Sequence, residues 1–266
     1  MSTRDRQGMT LFRLPACILL LIITLGNPVS AAEQSGHAPA DPLNSPQWGV
    51  MHSRFLNGET YVFDDKVKVL APDSAEDSLN VPITFDASAL QGVEKIVVMA
   101  DLNPIPGVLE FRPKTIPARL SFRMKLQQGS PVRAAAKTAD GVWHVGGAWV
   151  DAAGGGCTLP STGTATGDWS STLGKVSANV WQRPDNNRLR VRVMHPMDTG
   201  LASGIPTFHI EDMNILDESG ALLAEMTLHE PISENPMLSL DVGKHTGFRL
   251  EGHDNNGNRI DAEVVE

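Results

Sequence analysis

The chain has 266 residues, with 22 Lys and Arg against 31 Asp and Glu, a net charge of −9 and a hydrophobic share of 41%. That balance leaves no basic footprint for nucleic acid or an anionic lipid surface, and it favours a basic partner. The apolar share is that of a globular chain able to bury real cores.

Residues 1–32 read as a secretory signal. Arg4, Arg6 and Arg13 open it, an apolar run follows from Cys17 to Leu25, and Pro28 precedes the small-residue site Val29-Ser30-Ala31-Ala32. The run is about half the ~20 residues needed to span a bilayer, so no membrane attachment is expected after cleavage. Leu14-Pro15-Ala16-Cys17 has the outline of a lipidation site, but the apolar run follows this cysteine instead of preceding it. Cleavage removes Cys17, three Arg and one Asp. The exported chain then carries a net charge of −11 and one cysteine, Cys157, in a compartment that favours disulfides.

Residues 33–47 are polar and proline-bearing and predict a flexible entry segment, with order beginning near Trp48. From there apolar residues recur mainly with period two. Val81, Ile83 and Phe85 form one such set; Leu120, Phe122, Met124 and Leu126 alternate with Arg119, Ser121, Arg123 and Lys125. That alternation predicts half-buried strands, as do the runs 93–100, 132–138 and 142–150. Ala118 to Leu126 is the one stretch ambiguous between helix and strand. Gly, Ser, Thr, Ala and Asp dominate residues 154–174, which predicts a domain boundary with a linker over 158–175. Strand patterns resume at 176–181, 189–193, 208–216, 222–228, 237–242, 246–251 and 259–265. The expected fold is all-β: two Ig-like β-sandwiches, at 48–157 and 176–266, joined by the Gly/Ser/Thr-rich linker. The alternating Arg188, Arg190 and Arg192 read first as a solvated sheet face.

Cys157 ends the stretch Gly154-Gly155-Gly156-Cys157, with Thr158-Leu159-Pro160 after it. A leftover cysteine in an oxidising compartment pairs with another molecule, reacts, or is a buried small hydrophobe. Glycines argue against a packed strand here and for an exposed, mobile arm. At ~3.3–3.6 Å per extended residue, half a dozen residues carry the sulfur about 20 Å. Asp151 lies nearby and no Lys or Arg flanks the thiol in sequence, so activation falls to a partner. The eight histidines show no close-spaced pair of the kind that marks a zinc site. No nucleophile elbow, phosphate loop or dinucleotide fingerprint occurs. The residues therefore assign no catalytic group, no metal and no bound cofactor.

Val81-Pro82-Ile83, Asn103-Pro104-Ile105-Pro106, Arg119 to Met124 and Gly154-Gly155-Gly156-Cys157 resemble the pattern of SoxY. His195-Pro196-Met197-Asp198-Thr199-Gly200, Phe208-His209-Ile210, Ser233-Glu234-Asn235-Pro236 and Asp254-Asn255-Asn256-Gly257 resemble SoxZ. The chain thus resembles a fusion of the periplasmic sulfur-carrier pair of thiosulfate oxidation, and within it the SoxYZ-like carriers associated with quinoprotein dehydrogenases. The resemblance implies a non-enzymatic periplasmic carrier that holds a sulfur adduct covalently on Cys157. Gly154, Gly155, Gly156 and Thr158 would form its swinging arm, and sulfur-oxidation enzymes or a quinoprotein dehydrogenase would be its partners. The alternative it leaves is an accessory protein that docks on a pyrroloquinoline quinone dehydrogenase without covalent carriage. Two departures stand out: the family's arm has glycines on both sides of the cysteine and ends the chain, whereas this arm is internal.

Overall fold

The computed structural model describes residues 39–163 and 168–264. The expected signal over residues 1–32 and the middle of the expected linker lie outside the described residues. From Pro39 onward the chain is one compact unit.

The first half holds α1 (Trp48–Phe55) and eight strands: β1 (Tyr61–Phe63), β2 (Lys68–Leu70), β3 (Val81–Asp86), β4 (Val93–Ala100), β5 (Gly107–Pro113), β6 (Arg119–Met124), β7 (Ser130–Thr138) and β8 (Trp143–Val150). The second half holds β9 (Val176–Trp181), β10 (Arg188–Val193), β11 (Asp198–Thr199), β12 (Thr207–Phe208), β13 (Ile210–Asp217), β14 (Leu222–Leu228), β15 (Met237–Asp241), β16 (Phe248–Asp254) and β17 (Arg259–Val264). The fold is almost all β, as the period-two alternation predicts. The ambiguous stretch 118–126 is strand β6, with Leu120, Phe122 and Met124 inward. Trp48 and Met51 are the buried side of α1, an i, i+3 spacing that marks a helical face and that strand periodicity overlooks.

Each half supplies strands to two sheets, in the manner of an Ig-like sandwich. The sheets do not stop at the boundary between halves. One runs β1-β8-β7-β4-β5-β14-β13-β16-β17 and the other β2-β3-β6-β15-β10-β9. The β5–β14 pairing, with Leu109 opposite Leu228 and Phe111 opposite Met226, joins the halves in the first sheet. The β6–β15 pairing, with Leu120 opposite Leu240, joins them in the second. One apolar core therefore passes through the junction, from Phe85, Phe111 and Leu120 to Leu189, Met213 and Leu250.

A second apolar cluster, built on Trp48, Met51, Leu56, Met99 and Trp143, lies on the other face of the larger sheet under α1. The entry segment, read from sequence as flexible, is held from Asp41 onward. The Asp41 carboxylate accepts the backbone N–H groups of Leu43 and Ser45 and a two-pronged contact from Arg133 at 2.9 and 2.7 Å. Arg133 is 1% exposed; its Nε donates to both oxygens of Asp101, and its guanidinium stacks 4.6 Å from the Trp48 ring centroid. One buried cation thus ties Asp41 to strand β7. Breaking such a buried pair from one side leaves unpaired carboxylates behind. Arg133→Met is expected to cost about 3–5 kcal/mol, read as a lower urea midpoint. Asp41→Asn is expected to cost about 1–2 kcal/mol, because Arg133 keeps Asp101.

Candidate functional site

Strand β8 ends at Val150, and the chain is pinned once more at Asp151. The Asp151 N–H donates to the Asp73 carbonyl at 2.9 Å, and its own carbonyl accepts from Ala75 at 2.7 Å. The next residues turn sharply, with φ of +106° at Gly154 and +86° at Gly155, a region that glycine enters without strain. Gly156 then presses against the end of β6. Its N–H donates to the Leu126 carbonyl, and a Cβ at this position would stand 2.2 Å from the Ser78 carbonyl oxygen. Gly154 and Gly155 are thus called for by their backbone angles, and Gly156 by its close packing.

That fit overturns the expectation of an exposed thiol. Cys157 is fully buried at the junction between the halves. Its N–H donates to Gln127 Oε1 at 3.1 Å, its Sγ lies 3.9 Å from the Lys125 carbonyl, and its carbonyl accepts the Thr199 hydroxyl at 2.5 Å. Thr158 closes the turn by donating its N–H to the Gly155 carbonyl at 3.3 Å. Its hydroxyl lies 3.4 Å from Gln127 Oε1. All five residues of the arm named from sequence therefore come together, but folded inward, with exposed Leu159 just beyond.

The walls of this niche come from both halves. Lys125, at the end of β6, is 2% exposed, and its ammonium donates to the Met197 carbonyl. Met197 belongs to the His195–Gly200 turn, where it adopts φ +55°. The His195 side chain shapes that turn: Nδ1 accepts the Met197 N–H at 3.0 Å, which places the ring proton on Nε2, 3.3 Å from Asp254 Oδ2. The same segment presents Met197 and Thr199 to the arm. Lys125 and Gln127 were overlooked as site residues. Asn103 ties them together, donating to the Lys125 carbonyl and accepting the Gln127 N–H.

Downstream, the linker is anchored sooner than its composition predicts. The Ser161 N–H donates to Asp198 Oδ1 at 2.8 Å, and the N–H groups of Thr162 and Gly163 donate to the two oxygens of Glu234 at 2.7 and 2.9 Å. The span between anchors is thus 152–160, with Cys157 only four residues from Ser161.

Electrostatics keep the closed thiol quiet. Burial pushes Cys157 up to about 11, against a smaller opposing effect of the Lys125 charge. Burial also brings Lys125 down to about 8, opposed by Asp198, Cys157, Glu234 and Glu230. A thiolate is the nucleophile, so closure and reactivity exclude one another at neutral pH.

Residues 52–157 match the family described as "Sulfur oxidation protein SoxY", and the match ends on Cys157. The first half carries a SoxY domain. Among solved structures, the sulfur carrier protein SoxY from Chlorobium limicola f thiosulfatophilum aligns at 20% identity, over 39% of this chain and 93% of that one, with a TM-score of 0.35. No curated protein matches the chain.

Two outcomes follow from this geometry. At pH 8 iodoacetamide should label Cys157 at least about tenfold more slowly in the folded chain than in urea, and Thr199→Val, which frees the Cys157 carbonyl, should raise the folded rate several-fold. Equal folded and unfolded rates, followed by intact mass, would contradict a closed niche. The second outcome concerns His195, which burial depresses to about 4, against the raising effect of Asp254. A depressed histidine contributes stability that is fully present above ~6.5 and is lost as pH falls toward 4. His195→Gln should remove that part of the acid sensitivity in urea titrations run from pH 7 to 4.

Proposed function

We propose that this chain is a periplasmic carrier that holds sulfur-compound intermediates covalently on Cys157 and presents them to partner enzymes, its second half serving as a built-in SoxZ-like companion. The single observation that carries the reading is that the SoxY domain match closes on a cysteine set on three glycines inside a niche made by both halves. Loading by sulfur transfer requires no external oxidant. The Cys157 thiolate attacks the outer sulfur of a thiosulfate or persulfide donor, a sulfur–sulfur bond forms at Cys157, and sulfite or the donor thiolate leaves with the electron pair of the broken bond. The product is a Cys157 persulfide, and the proton of the original thiol goes to solvent.

Delivery requires the arm to leave the niche. Its reach is set by the shorter tether: four residues to Ser161 at ~3.3–3.6 Å each allow about 14 Å, less than the ~20 Å available from Asp151. A partner must therefore bring its active site close to the junction instead of accepting a long free tail. The partners that the reading calls for are periplasmic sulfur-oxidation enzymes.

The burial of Cys157 favours a second reading, in which the chain docks on a quinoprotein dehydrogenase and the thiol is incidental. The test separates the two. Chain purified from cells oxidising sulfur compounds is expected to show, by intact mass, an adduct that reductant removes and that Cys157→Ser lacks. A Cys157→Ser strain should lose the dependent oxidation as fully as a deletion strain does. An unmodified mass, with Cys157→Ser retaining activity that deletion abolishes, would reject the carrier and leave the docking protein.

A further inference from the structure

The outer face of the six-stranded sheet arranges its polar side chains in transverse rows. In the row farthest from the arm, Asp86 pairs with Arg119 across β3 and β6, Arg119 reaches Asp241 at 3.0 Å, and Asp241 holds Arg188 at 2.7 Å. The middle row is hydroxylic: Thr84 and Ser121 hydrogen-bond at 2.7 Å, Ser121 pairs with Ser239, and Arg190 donates to Ser239 while covering the Trp181 ring. The row nearest the arm places Arg123 opposite Pro82 and Arg192 opposite Met237. It contains no acid.

Arg123 and Arg192 are exposed, and neither guanidinium makes a hydrogen bond or an ion pair among the described residues. They sit on β6 and β10, the two neighbours of β15, so their Cα atoms are about 10 Å apart. Both line one cavity of about 250 Å³ together with Asn80, Ser233 and Glu234. Glu234 is the one acid there, and its carboxylate is committed to the Thr162 and Gly163 N–H groups. Asn80 and Glu234 also line a recess of about 30 Å³ that reaches Lys125 and Ser161. Three cations therefore mark a path from the sheet face toward the cysteine niche. Elsewhere on this face Arg119 and Arg188 are matched with carboxylates and Arg190 with Ser239 and Trp181; the side chains of Arg123 and Arg192, in a chain of net charge −9, have no such match among the described residues.

We propose that Arg123 and Arg192 form a noncovalent binding site for a small dianion, a tetrahedral oxyanion or a dicarboxylate, at the mouth of the recess leading to Lys125. Two guanidinium forks converging from separate strands suit a ligand with several acceptor oxygens, which they grip in a bidentate manner. The site goes beyond the carrier reading and stands without it, because it uses no bond to sulfur. Glu76 and Asp77, in the adjoining groove of about 450 Å³ that Arg123 also lines, discriminate against ligands extended in that direction.

Calorimetric titration of the full chain at low ionic strength tests the site, using sodium sulfate and sodium thiosulfate as probes and sodium chloride as the monovalent control. Saturable binding of the dianions is expected. Affinity should fall by about tenfold or more in Arg123→Gln/Arg192→Gln, and should persist in Arg190→Gln, whose guanidinium lies outside the cavity. Cys157→Ser should bind both probes as the natural chain does. Absence of saturable binding, or equal binding by the double variant, overturns the proposal. Thiosulfate uptake that the double variant keeps and Cys157→Ser loses assigns the anion to the sulfur, overturning the arginine site while leaving the carrier intact.

Discussion

Two antiparallel pairings, β5 with β14 and β6 with β15, make one double-width sandwich from two half-chains, and the position of every group around Cys157 follows from them. They run the apolar core across the junction, which packs the two halves around a shared interior. The end of β6 is thereby brought against the His195–Gly200 turn, so that a lysine of the first half hydrogen-bonds a carbonyl of the second. Without this continuity the arm would have one wall only, supplied by Leu126 and Gln127.

The niche that results is polar on one side and closely packed on the other. The Gly156 backbone fits where no side chain would, while the Cys157 main chain is satisfied by Gln127 and Thr199. A buried thiol beside a buried ammonium is electrostatically balanced in a way that depends on closure: each group resists its charged form because water is excluded. Opening hydrates both, returning the thiol toward ordinary reactivity and the lysine toward full charge. On the proposed reading, the motion that exposes the sulfur would also activate it. The anchors at Asp151 and Ser161 would confine such a motion to a short loop, the main physical difference between an internal arm and a free tail.

Much of this architecture was legible in the sequence, for identifiable reasons. Strands with one buried face, such as β3, β6 and β10, alternate cleanly, and their positions follow from period two. The short strands β1 and β2, three residues each, carry too little pattern to be read. The helix α1 is betrayed only by Trp48 and Met51. At the site, the glycines single out Cys157 in the sequence, but composition alone gives only half of the physical reason for them. Conformational freedom and close backbone approach both call for glycine, and only the contacts of Gly156 with Ser78 and Leu126 decide between them. Lys125 was invisible as a site residue because it occupies an outward position in an alternating strand pattern. Only the pairing of the two halves encloses it.

Hydrogen exchange of the native chain, resolved to single amides around the arm, tests most directly whether this niche is a door or a wall. If the arm closes reversibly on a rigid scaffold, the amides of Gly156, Cys157 and Thr158 will exchange through an opening far less costly than global unfolding, while those of Leu120 and Leu240 at the β6–β15 junction exchange only with the whole molecule. If instead the three arm amides exchange no faster than the junction strands, the sulfur has no route to a partner and the account fails.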